Sequence, residues 1–163
     1  MYEIIFYLTG AIAVLAAGAI LIAPHPVHAA LYLVISLLAL ALLFFLLGAP
    51  LLAALQVMIY AGAIVVLFLF LIMVMNLRPG QDQSAPLAPG WKGPAFLALI
   101  LFLELLVILN RFQFTATNKI TAIEPKAVGL ALFGPYLLVV EAAAVLLLAA
   151  LVAALYLSRK ERS

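Results

Sequence analysis

The chain has 163 residues, of which 70% are hydrophobic and 9% are charged, and its formal net charge is +2. A soluble domain is about half apolar and about one quarter charged, so this chain has too few polar side chains to cover a soluble core. The composition therefore excludes a soluble enzyme, a nucleic-acid-binding module and a disordered tail, and it predicts an integral membrane protein.

Five apolar runs are long enough to cross a membrane, for which about 20 residues are needed. We predict helices over residues 3–22, 27–47, 51–75, 94–110 and 135–157. Proline is favoured in the first turn of a helix, and Pro50, Pro94 and Pro135 each stand at one of these starts. No run alternates as a strand does. The expected fold class is an all-α integral membrane protein with five transmembrane helices, in a single membrane domain over residues 1–163.

The first predicted span carries a stripe of small residues, a pattern that favours close helix packing. The stripe consists of Gly10, Ala13, Ala17 and Gly18. Thr9 and Ser36, in the first and second spans, can bond to their own backbone, and we assign them no further role. Between these spans His25 and His28 flank Pro26, but no other histidine, cysteine or acidic residue lies nearby, so we expect no metal site.

The third span is the most informative of the five. Gln56 and Tyr60 are four residues apart, so on an α-helix they share a face and can exchange a hydrogen bond. Tyr60 falls near the middle of the membrane, about 13–14 Å from the helix start. Gly62 follows it between two alanines. A glycine inside a helix weakens the hydrogen-bond ladder, so this position can hold a π-bulge or a kink, with ordinary helix packing as the alternative.

Two connecting segments are longer than turns. Residues 76–93 are rich in proline, glycine and glutamine and predict a flexible inner linker. Residues 112–134 have a mixed composition and are expected to form an outer loop.

Two acidic residues, Glu104 and Glu141, stand inside the fourth and fifth predicted spans. Each lies about 9 Å from the outer end of its helix. Because charges in hydrocarbon are costly, we expect both acids to belong to one hydrated polar cluster in the outer half of the membrane. Alternatively, each acid reaches the surface or pairs with a basic group, which for Glu104 is Arg111.

The basic residues predict the orientation, because cytoplasmic loops carry an excess of lysine and arginine. The face that holds the C-terminus would carry Arg78, Lys92, Arg159, Lys160 and Arg162. The opposite face would carry Arg111, Lys119 and Lys126. This bias predicts an N-terminus outside and a cytoplasmic C-terminus.

Three stretches carry a resemblance to a known family. They read HPVHAALYL at residues 25–33, YAGAIVVLF at 60–68 with MVMN at 73–76, and KAVGLALFGPY at 126–136 before Glu141. Gly-Pro-Ala at residues 93–95 also matches the start of the fourth helix. Over nearly its whole length the chain resembles the subunit J family of the proton-pumping NADH–quinone oxidoreductase, respiratory complex I. The mitochondrial members of this family are NADH dehydrogenase subunit 6.

The resemblance implies a multi-pass subunit of the bacterial inner membrane, without a catalytic centre of its own. Its expected partners are the small subunits A and K, the quinone-site subunit and the antiporter-like subunits. Family members bind no cofactor, and the NADH, FMN, iron–sulfur clusters and quinone that the complex uses belong to other subunits. In agreement, this chain has no cysteine with which to hold an iron–sulfur cluster.

The resemblance also implies a π-bulge in the third helix that relaxes to regular helix, rotates the inner half and makes or breaks a water wire. Tyr60 and Gly62 match that helix, so we expect them to form the switch. Val65 and Phe68 would be the dry plug, since aliphatic and aromatic constrictions gate by dewetting. Gln56 stands where some members of the family have a glutamate.

Two other functions fit the same pattern. The first is a subunit of a multisubunit cation/proton antiporter or of a membrane-bound hydrogenase, whose small subunits share this arrangement of helices. The second is a purely structural subunit of complex I with no moving part.

Overall fold

A computed structural model describes residues 2–23, 25–75, 91–112 and 123–160 of the chain. Within these ranges the backbone is helical apart from short turns, and none of it forms a strand. Its elements are α1 (Tyr2–Ile22), α2 (Pro26–Leu46), α3 (Pro50–Leu55), a π-helix (Gln56–Ile64), α4 (Val65–Met75), α5 (Lys92–Phe112), α6 (Pro125–Leu132) and α7 (Leu137–Lys160). We call the continuous run of α3, the π-helix and α4 the third span.

The predicted number of long apolar helices is confirmed for the described residues. Five helices are long and apolar enough to cross a membrane: Tyr2–Ile22, Pro26–Leu46, Pro50–Val74, Lys92–Asn110 and Leu137–Ser158. Their ends agree with the prediction to within a few residues, because helix ends fray over one or two residues. The predicted inner linker falls mostly on residues 76–90, which lie outside the described ranges, and α5 already begins at Lys92.

Proline and glycine set the ends of several helices, as the sequence suggested. Pro26 and Pro50 occupy the first turn of α2 and α3. After α2 the chain turns through Gly48, whose φ of 79° lies in the left-handed region that favours glycine. Two backbone bonds close this turn, one from Gly48 to the Phe45 carbonyl and one from Ala49 to the Phe44 carbonyl. This pattern is a Schellman motif, and it separates α2 from α3 with few residues.

The interpretation of residues 112–134 as a plain outer loop was wrong for its second half. Pro125 starts an additional helix, α6, which ends at Leu132. Pro135 does not start the last helix, because it lies in the turn that joins α6 to α7. That turn is closed by bonds from Gly134 and Tyr136 to the carbonyl of Ala131. The short apolar helix was overlooked because we counted only runs of membrane-spanning length.

The chain divides into two compact units, Met1–Ala122 and Ile123–Ser163. In the first unit α2 is central, because it contacts α1, every segment of the third span and α5, while α1 also contacts α5. In the second unit α6 contacts α7. The single membrane domain over residues 1–163 stays a prediction.

Small residues let the helices of the first unit approach closely. Ala16 and Ala39 are fully buried and belong to one core with Ile12, Leu42 and Leu101. A hydrogen bond from the Ser36 hydroxyl to the Ala13 carbonyl, 3.0 Å long, also joins α2 to α1. Ser36 therefore bonds across helices and not to its own backbone, contrary to our expectation.

The predicted small-residue stripe of α1 is only partly used within the first unit. Ala13 is buried, but Ala17 and Gly18 are exposed. A Cβ added at Gly10 or Gly18 would meet no atom of the described residues within 4 Å. The inward face of α1 is instead formed by Thr9, Ile12, Ala13 and Ala16.

Candidate functional site

The third span changes its helical geometry in the middle. The nine residues Gln56–Ile64 form a π-helix between two α-helical segments. Hydrogen bonds between residues five apart close a π-turn, and here the Val65 N–H bonds to the Tyr60 carbonyl. The prediction of π geometry in this span is confirmed, and the π segment is longer than a single-turn bulge.

Gly62 lies where the backbone of the π-helix leaves little room for a side chain. A Cβ at this position would be 3.1 Å from the carbonyl oxygen of Val57, which is five residues earlier. A contact this short requires the neighbouring carbonyl to move. Glycine avoids the contact, so the sequence at this point is compatible with the widened turn.

The predicted hydrogen bond between Gln56 and Tyr60 is not formed. Gln56, the first residue of the π-helix, is half-buried, and Tyr60 is exposed to 49%. Both residues belong to the π-helix, and no hydrogen bond joins their side chains there. The expectation assumed α geometry at residues that do not have it.

The two residues of the expected plug differ in their surroundings. Val65, the first residue of α4, is 1% exposed and is the only buried side chain among residues 65–74. Phe68, one turn later, is 43% exposed. Since α4 packs against α2, Val65 lies at the enclosed side of the third span, and Phe68 does not line the same enclosed position.

An apolar groove runs beside the start of the π-helix. It lies between α2, the first half of the third span and α5, and Val57 contributes to its lining together with Ala53 and Ala54. The small side chains leave open space on this side of the third span.

A second polar feature joins α1 to α5. The Thr9 hydroxyl lies 3.1 Å from Oε2 of Glu104, and both residues are buried. The same hydroxyl donates a hydrogen bond of 2.8 Å to the Ile5 carbonyl. The backbone bond of Thr9 was predicted, but its contact with Glu104 was overlooked, because residues 95 positions apart are brought together only by helix packing.

The second acidic residue, Glu141, is exposed on α7 in the second unit. The expected cluster of Glu104 with Glu141 stays a prediction. The alternative pairing of Glu104 with Arg111 depends on a side chain that the structure does not describe, although the backbone of Arg111 belongs to α5.

The histidines before and in α2 lie next to each other. The ring centroids of His25 and His28 are 5.6 Å apart, and His28 is 7% exposed, with neither ring nitrogen hydrogen-bonded to any part of the chain that the structure describes. Within the described ranges there is no group of three histidine, cysteine or acidic residues that could hold a metal ion.

Comparison with known proteins assigns this arrangement to a family. The sequence profile of NADH-ubiquinone/plastoquinone oxidoreductase chain 6 matches residues 15–157. A protein of Pseudomonas aeruginosa named NADH-quinone oxidoreductase subunit J is 51% identical, with 98% of each chain covered. The Escherichia coli K12 protein of the same name is 44% identical over 99% of this chain and 89% of its own length. The protein of that name from Buchnera aphidicola subsp. Schizaphis graminum is 43% identical over 98% of this chain and 99% of its own length.

Proposed function

The chain belongs to the NADH-ubiquinone/plastoquinone oxidoreductase chain 6 family, and from this premise we propose that its third span couples quinone reduction to proton translocation in a membrane NADH–quinone oxidoreductase. The family is that of subunit J of complex I. The observation that supports a moving part is the π-helix Gln56–Ile64 in the middle of a long apolar helix. Functional sites often carry such irregular turns.

The chain would work inside a larger membrane complex. None of the residues in the apolar window of α7 is buried, and soluble monomers rarely expose so large an apolar surface. Lipid and neighbouring subunits would cover it. We assign as neighbours the small subunits A and K, the quinone-site subunit and the antiporter-like subunits. The complex would lie in the bacterial inner membrane, with the N-terminus of this chain outside and its C-terminus in the cytoplasm.

The contribution of this chain would be mechanical and not redox chemistry. NADH, FMN, the iron–sulfur clusters and quinone would bind to other subunits. The absence of cysteine from the sequence agrees with this division of labour, because iron–sulfur clusters require thiolate ligands in most proteins.

The proposed switch is the interconversion of the π-helix and a regular α-helix. A shift of the hydrogen bonds by one residue rotates the following helix by about 100°. In the present geometry Val65 is enclosed and Phe68 is exposed. The rotation would remove Val65 from its enclosed position and bring a different residue there, so the same apolar side chain could block or open a path for water. The groove beside Val57 supplies room for the backbone to move.

Polar groups would hold the water that conducts protons. Tyr60 and Gln56 lie in the π-helix and can bind water through a hydroxyl and an amide. Glu104 and Glu141 are the two carboxyl groups within the candidate spans beyond the third, and intramembrane acids are expected to serve proton transfer. We assign these four residues to the proton pathway, with Gly62 as the pivot of the switch.

The replacement of Gly62 by leucine tests the switch. The bulk added beside the Val57 carbonyl should fix one helical geometry and lower the number of protons moved for each quinone reduced. The matched control is Ala63→Leu, which adds similar bulk at the next, exposed residue. Both variants would be studied in inverted membrane vesicles, with NADH oxidation, quinone reduction and proton uptake measured in parallel.

A purely structural subunit predicts a different outcome. Gly62→Leu would then change the amount of assembled complex, and each assembled complex would keep its proton yield. Full proton uptake at full quinone turnover in Gly62→Leu vesicles would refute the proposed switch.

A further inference from the structure

The contact between Thr9 and Glu104 is a polar pair enclosed by apolar helices. Thr9 is 0% and Glu104 is 6% exposed. Oε2 of Glu104 lies 3.1 Å from the Thr9 hydroxyl, whereas its Oε1 is enclosed and has no hydrogen-bond partner among the residues that the structure describes. A buried polar atom without a partner is rare in proteins and requires an explanation.

The number of hydrogen atoms restricts how this pair can bond. A threonine hydroxyl has one hydrogen to donate, but Thr9 Oγ1 lies within reach of two oxygens. The Ile5 carbonyl, at 2.8 Å, is nearer than Glu104 Oε2, at 3.1 Å. If the hydroxyl donates to the carbonyl, the contact with Glu104 is a hydrogen bond only when the carboxyl group supplies the hydrogen.

The unpaired oxygen agrees with a neutral carboxyl group. An ionised carboxylate spreads its charge over both oxygens, so an enclosed, unpaired Oε1 would be costly. In a neutral carboxyl group, Oε1 is a carbonyl oxygen without a formal charge, so its burial without a partner costs less free energy.

We propose that Thr9 and Glu104 form a proton-binding site between α1 and α5. In the proton-loaded form, Glu104 donates from Oε2 to the Thr9 hydroxyl, and Thr9 donates to the Ile5 carbonyl. On release, the proton leaves Oε2 for a water molecule, and the hydroxyl hydrogen of Thr9 turns from the Ile5 carbonyl to the carboxylate. The Ile5 carbonyl keeps the backbone bond that an α-helix gives it from residue 9, so neither form leaves it unpaired.

No described charge compensates an ionised Glu104. The titratable residues of the packed helices are Tyr2, Glu3 and Tyr7 on α1, His28 and Tyr32 on α2, and Lys92 and Arg111 on α5 itself, and the side chain of Arg111 is not described by the structure. Among the described residues, Thr9 is the only hydrogen-bond partner of the carboxyl group. Of the described residues, Thr9 is therefore the one that can assist release of the proton to water that reaches the pair.

Infrared difference spectroscopy on the assembled complex, titrated with pH, tests this site. The wild-type complex should show the C=O band of a protonated carboxyl group that Glu104→Gln removes. The exposed Glu141 supplies the matched control, and Glu141→Gln should leave that band in place. Thr9→Val should move the band to higher frequency, because a carboxyl group that loses its hydrogen-bond acceptor absorbs there, and Thr9→Ser should restore it.

Two results would overturn the site. One is the loss of a carboxylate band, instead of a protonated band, in Glu104→Gln. The other is an unchanged band in Thr9→Val. Glutamine and valine nearly match the shapes that they replace, and the abundance of the complex shows whether each variant assembles. This measurement does not depend on the proposed switch. The C=O band of Glu104 reports its protonation, whereas the switch is tested by the proton yield of Gly62→Leu, so either proposal can fail without the other.

Discussion

Val65 and Val66 are consecutive residues of α4, yet Val65 is 1% exposed and Val66 is 62% exposed. The pair places two side chains of identical shape in opposite surroundings, one enclosed by the first unit and one on its surface. A substitution made at each position therefore separates an effect of the enclosed site from an effect of the residue type.

Val65→Thr should weaken the proposed plug without changing its shape. Threonine replaces one methyl group by a hydroxyl that can bond to the carbonyl four residues earlier, so the helix is expected to remain intact. A hydroxyl at an enclosed apolar constriction favours entry of water, so fewer protons should be retained for each quinone reduced. Quinone reduction and proton uptake in inverted vesicles measure this ratio. Val66→Thr is the control, and equal ratios in the two variants would contradict a plug at Val65.

Much of the fold could be predicted from the sequence, because each membrane-spanning helix is a continuous apolar run. Such runs need no knowledge of neighbouring helices, since the bilayer thickness sets their length. The starts at Pro26 and Pro50 likewise follow from local chemistry. The helix α6 was overlooked because eight residues do not reach that length. Pro135 was misassigned because proline is also frequent in turns, such as the one before α7.

The candidate site could be predicted only in part. Gly62 indicated a place where the third span could deviate from α geometry, but the choice between a bulge and simple packing came from the family resemblance. The predicted bond between Gln56 and Tyr60 assumed an α-helix, and in the π-helix it is not formed. The Thr9–Glu104 pair depends on how α1 packs against α5, and no local pattern in either helix contains that information.

Gly93→Ala should disturb the packing of α5 against α2. A Cβ at Gly93 would overlap the Tyr32 hydroxyl and lie 3.3 Å from Tyr32 Cζ. Overpacking of this kind costs about 1–3 kcal/mol. The amide hydrogens in the first turns of α5 should therefore exchange roughly 5–150-fold faster, as measured by mass spectrometry on the assembled complex.

The same contact supplies the control for this prediction. Tyr32→Phe removes the hydroxyl that the new Cβ would meet, so Gly93→Ala should cost less in that background. We expect a coupling of about 1 kcal/mol between the two substitutions, as is usual for residues in contact. Strict additivity of the two effects would show that the Tyr32 hydroxyl does not limit the size of residue 93.

Gly62→Ala should shift the third span from π toward α geometry. Alanine favours an α-helix over glycine by about 1 kcal/mol, and its Cβ would crowd the Val57 carbonyl at 3.1 Å only in the present geometry. Together these effects should lower the ratio of π to α forms about fivefold or more. Electron cryomicroscopy of the complex, with particles sorted by the geometry of this span, measures that ratio.

Gly10→Ala, made where a Cβ meets open space, should leave the ratio unchanged. An unaltered distribution in Gly62→Ala would mean that the Val57 contact does not control the turn, and the pivot would have to be sought elsewhere in the π-helix.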